Sequence, residues 1–362
     1  MSTQLSQPHT ETVATFNIEK LSYLGQDSQP TQPFPTFADH DTLISLYKLM
    51  ALTRAMDTKA INLQRTGQMS TYPSSRSQEA VAVGIGHAMQ EDDILCPYYR
   101  DQGTLIQRGV SISEIYSYWG GDERGNQFAN NQHDLPICVP IAGQFLHAAG
   151  VAFALQYRQQ QRAVVTTGGD GSTSKGDFYE AINLAGAWNL PMVFVIYNNQ
   201  WAISVPRREQ SASATLAQKA IAAGFSGIQV DGNDVIAVSA AVNKALELAR
   251  SGNGPTLIEA LTYRLCDHTT ADDATRYQPI EEVKAAQQRE PIARLAYYLE
   301  RQGQWSKAQE AQLHQSISKQ IDEAVNEYLN RPPQPKSALF DYLYASLPNA
   351  FLDQYQELGE KQ

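Results

Sequence analysis

The chain has 362 residues and a formal net charge of −10, from 38 acidic and 28 basic side chains. That balance argues against a binder of nucleic acid or of membrane surfaces, which needs a basic face. The length allows one large domain or two smaller ones, and the three widely separated cysteines give neither a disulfide framework nor a metal-ligand spacing.

No apolar run approaches the roughly 18 residues of a membrane span. The first residues, MSTQLSQPHTETV, carry neither the basic region nor the apolar core of a signal peptide. A cytoplasmic chain is expected. Residues 1–33 are polar and rich in Gln, Thr, Ser and Pro, which predicts an arm with little structure of its own. Thr42 to Thr66 follows as a long amphipathic helix, with Leu43, Leu46, Met50 and Met56 on its apolar face. Ser77 to Met89 predicts a helix of small residues. CPYYRDQGT reads as a strand end and loop, and Ser111 to Tyr118 as a short helix. Residues 120–140 form a loop-rich stretch, and Gln144 to Gln156 returns to a small-residue helix.

The centre of the chain is AVVTTGGDGSTSKGDFYEAINLAGAWNLPMVFVIYNNQWAI, Ala163 to Ile203. Its β-branched start predicts a buried strand. Gly168, Gly169, Asp170 and Gly171 break that strand with a turn. Phe178, Ile182, Ala185 and Trp188 recur at helical spacing, and Met192 to Tyr197 is a second strand ending in Asn198-Asn199. Asp170 and Asn199 therefore stand at the C-terminal ends of two strands, where open α/β sheets bind ligands. A helix start follows the turn and favours an anion such as pyrophosphate. A carboxylate, an amide oxygen and a nearby carbonyl make the incomplete oxygen shell that suits Mg²⁺. Beyond this stretch come a polar loop at Val205 to Ser213 and a helix at Leu216 to Gly224. A strand at Gly227 to Val230, a helix at Asp234 to Arg250 and a strand at Pro255 to Thr262 follow. The alternation predicts an α/β fold with a mostly parallel, doubly wound sheet flanked by helices. After Pro279 the sequence turns helical and charged, with a Pro-rich break at Arg331 to Pro335.

GDG followed after 26 residues by NN resembles the thiamine-diphosphate motif. FYEAINLAGAWNLPMVFVIYNNQWAIS is similar to the alpha subunits of the heteromeric 2-oxoacid dehydrogenases, the pyruvate and branched-chain enzymes, and the likeness runs from about Phe34 to about Tyr355. It implies residues 34–279 as a thiamine-diphosphate-binding domain and 280–362 as a helical extension of the same unit. It implies thiamine diphosphate and Mg²⁺ as cofactors, with Asp170, Asn199 and the Trp201 carbonyl as metal ligands. Gly171 and Ser172 would touch the diphosphate, and Tyr99 and Arg100 would contact cofactor or substrate. The backbone of Val139 and Ile141 would meet the aminopyrimidine ring.

The segment TYRLCDHTTADDATRYQP matches a family loop whose histidine lies near the thiamine, which assigns His268 and Arg264 to catalysis. A histidine titrating near neutral pH suits proton transfer. Asp272 and Asp273 could hold the loop through Arg276 or Tyr277. Residues 264–277 lack an apolar stripe, so without an anion they are expected to be loosely held. Eukaryotic pyruvate members carry a histidine just before the Gln-Glu pair. Here that stretch is TYPSSRSQE, so the substrate-facing wall differs.

In the family, the carboxylate that activates the cofactor is a Glu of the beta subunit. The resemblance therefore implies half an active site, a beta partner in an assembly of two alpha and two beta chains, and acyl transfer to lipoyl-lysine of an acyltransferase component. Pyruvate is the first substrate expectation and a branched-chain 2-oxoacid the alternative. A homodimeric thiamine carboligase or decarboxylase, and a catalytically silent scaffold, are alternatives from other classes.

Overall fold

The computed structural model describes residues 10–341 and 343–360. Eight strands are β1 (Lys20–Leu21), β2 (Ile94–Cys96), β3 (Val164–Gly169), β4 (Met192–Asn198), β5 (Trp201–Ala202), β6 (Val205–Pro206), β7 (Ser226–Asp231) and β8 (Thr256–Leu261). Six of them build one sheet in the order β1-β7-β8-β4-β3-β2. Every neighbouring pair in it is parallel. All the strands therefore end on the same side, and the loops that leave them share one rim.

Parallel sheets are buried on both faces, so their strands read as continuous apolar runs. MVFVIYN of β4 is buried at every position. Val193, Val195 and Tyr197 join one core, while Met192, Phe194 and Ile196 join the other. The first core is covered by α1 (His40–Arg65), α2 (Glu79–Ala88), α3 (Gln102–Gln107) and α4 (Ile112–Trp119). The second is covered by α5 (Gly143–Tyr157), α6 (Gly176–Trp188) and the short α8 (Lys219–Ala222), which follows α7 (Arg207–Gln210). Helix α9 (Val235–Arg250) packs with α2 on the first face.

Local signals set the helix ends. Asp39 caps α1 by accepting from Thr42 N at 2.8 Å, and Ser111 with Glu114 forms a reciprocal capping box at α4. Leu43, Leu46, Met50 and Met56 of α1 are buried. The C-terminal helices are α10 (Ile280–Gln287), α11 (Pro291–Arg301), α12 (Lys307–Leu329), α13 (Ala338–Asp341) and α14 (Leu352–Glu360). Of these, α11 and α12 lie on α1, and α12 also lies on α4. Among the described residues, no helix is long and apolar enough to cross a membrane.

Three elements differ from expectation. The N-terminal arm is not free throughout: its first nine residues lie outside the described residues, but Lys20 and Leu21 add an edge strand to β7. Tyr23 and Leu24 then donate their backbone N–H groups to Asp234 Oδ2, both at 2.7 Å. The stretch expected as a polar loop at Val205 to Ser213 contains β6 and α7, with β5 and β6 paired as a hairpin. The helix expected over Leu216 to Gly224 shrinks to α8: Leu216 N and Ala217 N donate to Glu259 Oε2 at 2.8 and 3.0 Å ahead of it, and Gly224 takes a left-handed φ of +84° just beyond its end.

Candidate active site at the strand ends

A cavity of about 340 Å³ opens beyond the C-terminal ends of β2, β3 and β4. Tyr99, Arg100, Val139, Ile141, Asp170, Gly171, Ser172, Asn199, Trp201 and His268 all line it. These residues span 170 positions of sequence, and the parallel sheet gathers them. Arg264 stands behind the wall rather than on it. A wider groove of about 600 Å³ shares Trp201 but none of the other residues above.

Backbone geometry shapes the floor. A Cβ on Gly168 would lie 2.6 Å from the Phe145 ring, and one on Gly171 would lie 2.6 Å from Ala202 Cβ. Only glycine fits at both places. The chain then enters a 3₁₀ turn over Asp170–Ser174 before α6 begins at Gly176. Asn198 and Asn199 divide their tasks. Asn198 points into the sheet, donating to Glu259 Oε1 at 2.6 Å. Asn199 lines the cavity, and its Nδ2 donates to Gln78 Oε1 at 3.2 Å. That bond turns Asn199 Oδ1 the other way, where it accepts from Trp201 N at 3.2 Å. The segment after β8 clamps the pair, since Thr262 N and Arg264 N donate to the carbonyls of Asn198 and Asn199 at 3.0 and 3.1 Å.

The electrostatics are unbalanced in two opposite places. Asp170 is buried, and its Oδ2 has no hydrogen-bond partner among the described residues. Burial pushes its carboxyl up to about 7, against the opposing pull of nearby Arg264 and Arg207. Arg264 is 0% exposed. Its Nε donates to Cys266 O at 3.1 Å and its Nη2 to Ile203 O at 2.9 Å, while Nη1 has no partner among the described residues. Burial holds this guanidinium below its usual range. An unsatisfied buried acceptor and an unsatisfied buried donor are each costly.

Arg100 and His268 also line the cavity and lie against each other. Arg100 is buried, and its Nη1 donates to Ser74 O. The neutral-pH titration expected for His268 is corrected here: burial, then the charges of Arg100 and Arg264, push it down to about 4. The ring is neutral at pH 7 and works as a hydrogen-bonding group rather than as a cation.

The loop from Arg264 to Tyr277 is tied by polar bonds rather than left loose. His268 N donates to Asp272 Oδ2 at 2.7 Å, and Tyr277 OH donates to the same oxygen. Ala274 N donates to Asp267 Oδ1 at 2.8 Å. Thr270 and Tyr72 exchange bonds, Thr270 N to Tyr72 O at 3.0 Å and Tyr72 N to Thr270 Oγ1 at 3.1 Å. The TYPSSRSQE stretch is thus the buttress of the His268 loop. Asp57 anchors the buttress in turn, accepting from Ser74 Oγ at 2.6 Å and Ser75 N at 2.7 Å.

Sequence reasoning missed Gln78, Asp101, Gln144 and Lys175. Gln144 and Lys175 line the cavity, while Gln78 and Asp101 act from beneath it. The signal for Gln78 was its place beside Glu79 in an otherwise small, apolar helix start. Val139 and Ile141 are 45% and 46% exposed. Together with exposed Ile203 they leave an apolar rim on one side of the mouth.

A buried carboxylate and amide beside a glycine turn, at the ends of parallel strands, stand where open α/β sheets bind ligands. The profile of the family described as Dehydrogenase E1 component matches residues 47–336, and the chain belongs to that family. It is 39% identical over 323 residues to "Pyruvate dehydrogenase E1 component subunit alpha" of Staphylococcus aureus (strain Mu50 / ATCC 700699), covering 89% of this chain and 87% of the relative. It is also 39% identical over 344 residues to "3-methyl-2-oxobutanoate dehydrogenase subunit alpha" of Mycobacterium tuberculosis (strain ATCC 25618 / H37Rv), covering 94% of each.

Proposed function

We propose that this chain is the alpha subunit of the decarboxylating component of a pyruvate dehydrogenase, and that the strand-end cavity holds thiamine diphosphate and Mg²⁺. The observation that carries this reading is the buried Asp170 carboxylate lining the cavity, whose Oδ2 has no hydrogen-bond partner among the described residues. Asp170, Asn199 and the Trp201 carbonyl hold the metal. The N–H groups of Gly171 and Ser172, with Tyr99 and Arg100, hold the diphosphate, since guanidinium pairs well with such oxygens. The backbone of Val139 and Ile141 meets the aminopyrimidine. The cofactor, when bound, supplies the carbanion chemistry that decarboxylates a 2-oxoacid. The protein's part is orientation, exclusion of water and hydrogen bonding. His268 presents an N–H to the substrate side, and Arg264 backs the metal site.

The apolar rim at Val139, Ile141 and Ile203 supports a second chain closing the mouth. We assign that place to a beta subunit, which brings the activating Glu, in an assembly of two alpha and two beta chains. The acyl group passes to lipoyl-lysine of an acyltransferase component. The enzyme acts in the cytoplasm, where free Cys96, Cys138 and Cys266 stay reduced. Residues 34–279 form the cofactor-binding domain, and 280–362 extend it.

Branched-chain 2-oxoacid substrate is the second reading. The equal identity to the two relatives favours it as much as pyruvate. The test is to co-express the chain with its beta subunit and compare kcat/KM for pyruvate and 3-methyl-2-oxobutanoate. Pyruvate is expected to be preferred at least tenfold, by about 1.4 kcal/mol in the transition state. Preference for the branched acid would reverse the assignment. Decarboxylation by the purified chain alone would remove the two-subunit reading.

A further inference from the structure

The three segments that meet at the cavity are tied together from below by one side chain that the chemistry above leaves unused. Asp101 closes the turn of Tyr98, Tyr99 and Arg100 and is fully buried. Its Oδ2 accepts from Tyr98 N at 3.0 Å and from the hydroxyl of Thr167. Its Oδ1 accepts from Tyr197 OH at 2.7 Å. Each donor belongs to a different part of the site. Tyr98 immediately precedes Tyr99 and Arg100. Thr167 lies on β3, three residues before Asp170. Tyr197 lies on β4, two residues before Asn199.

The usual reasons for a carboxylate here do not apply. Asp101 precedes α3 but makes no side-chain capping bond to it. No Lys or Arg is bonded to it among the described residues. A buried acid without a cation is costly, and burial pushes this one up to about 7. Three donors converging on two oxygens offset part of that cost and fix the directions of three strand ends.

We propose that Asp101 is a positioning residue for the cofactor site, setting the spacing between the Tyr99–Arg100 seat for the anion and the Asp170–Asn199 seat for the cation. The proposal rests on the thiamine-diphosphate reading. Binding groups on separate strands work together only when their separation matches the ligand, and displacements below an ångström already weaken a shared site. Asp101 touches no ligand itself. It sets the spacing through Tyr98, Thr167 and Tyr197.

The test uses the full chain co-expressed with its beta subunit. Thiamine diphosphate is titrated calorimetrically at saturating Mg²⁺, and the melting temperature is recorded for each variant. Asp101→Ala is expected to weaken cofactor binding by about tenfold or more. Asp101→Asn keeps an acceptor for Tyr98 N–H, and the Tyr197 hydroxyl can turn to accept from the amide, so its loss is expected to stay within about threefold. Thr167→Val and Tyr197→Phe each remove one donor and should weaken binding by about two- to fivefold, with no additional loss in the Asp101→Ala background. Leu299→Ala empties a fully buried position in the separate α1–α11 core. It should lower the melting temperature and leave cofactor affinity unchanged.

Wild-type affinity in Asp101→Ala would overturn the proposal, as would an equal loss of affinity in Leu299→Ala. Should Asp101→Ala fail to fold, unchanged affinity in both single-donor variants would overturn it instead. A wild-type complex that does not bind thiamine diphosphate would overturn the cofactor reading itself.

Discussion

Arg100 holds His268 at two points. One guanidinium nitrogen lies 3.1 Å from the ring Nδ1 and 2.7 Å from the main-chain oxygen of the same residue. Guanidinium only donates, so Nδ1 accepts and the ring proton sits on Nε2. The arginine thereby sets the tautomer and the ring orientation, and its charge adds to the burial that keeps the histidine neutral.

From this follows a separation of binding from turnover. His268→Ala should leave the affinity for thiamine diphosphate with Mg²⁺ within about threefold while kcat falls by about 10²–10³-fold, the usual size for loss of a positioned proton donor. Calorimetry and steady-state kinetics on the assembled enzyme measure the two. Undiminished kcat would exclude His268 from the reaction.

A second expectation concerns pH. In the folded protein His268 is pushed down to about 4 from an ordinary 6.5. The unfolded chain therefore binds the proton first as pH falls, and stability contributed by the neutral ring is lost between about pH 6.5 and 4. Because the side chain is partly exposed, the loss should be about 1–3 kcal/mol rather than the full value of the shift. Urea denaturation of wild type and His268→Gln across that range should show a shallower decline in the variant. Parallel curves would mean that the histidine charges freely while folded.

Asp170 should trade stability for function. Its uncompensated Oδ2 costs the cofactor-free protein free energy, so Asp170→Asn is expected to melt at the same temperature or higher without ligand. The same variant should lose Mg²⁺-dependent cofactor binding by about 100-fold or more, because a hard anionic ligand is gone. Thermal melts with and without thiamine diphosphate plus Mg²⁺ report both effects. Retained stabilisation by cofactor would show that the metal sits elsewhere.

Proteolysis distinguishes the two arginines that bracket the His268 loop. Arg264 is fully buried and hydrogen-bonded, whereas Arg276 is exposed. Limited trypsinolysis should cut after Arg276 and spare Arg264, and thiamine diphosphate with Mg²⁺ should slow the cut by about threefold or more by lowering the population of opened loop. Mass spectrometry of the fragments identifies the site. Early cleavage after Arg264 would mean that the polar ties of this loop do not hold in solution.

Much of this was legible in the sequence because it depended on local pattern. The run MVFVIYNN carries its own message: an unbroken apolar strand with a polar end belongs inside a parallel sheet with its last residues on the rim. The Gly168–Gly171 turn was equally plain as a glycine cluster, and Gly168 and Gly171 have no room for a side chain. What stayed hidden depends on partners distant in sequence. The loop after β8 has no apolar periodicity, yet Thr270 is tied to Tyr72, 198 positions away, and no window along the chain reveals such a bond. Asp101 was hidden by its setting, because an acid in a Tyr-Arg-rich turn reads as surface. Its burial becomes evident only once Thr167 and Tyr197 lie beside it. His268 was singled out by its place in the chain, but the burial that pushes its ring down to about 4 arises from packing that the sequence does not display. Charge at a site is set by neighbours that the sequence does not list side by side.

The two-residue strand β1 has a consequence for how the front of the chain can be handled. It occupies the open flank of β7, pairing Lys20 with Gln229 and Leu21 with Val230, and the next turn delivers two N–H groups to buried Asp234. A chain shortened to begin near Gln26 would strip both away. Strand β7 would then present a row of unpaired backbone groups, an invitation to pair with β7 of another molecule. Loss of solubility on trimming this polar stretch would therefore reflect self-association through the sheet flank.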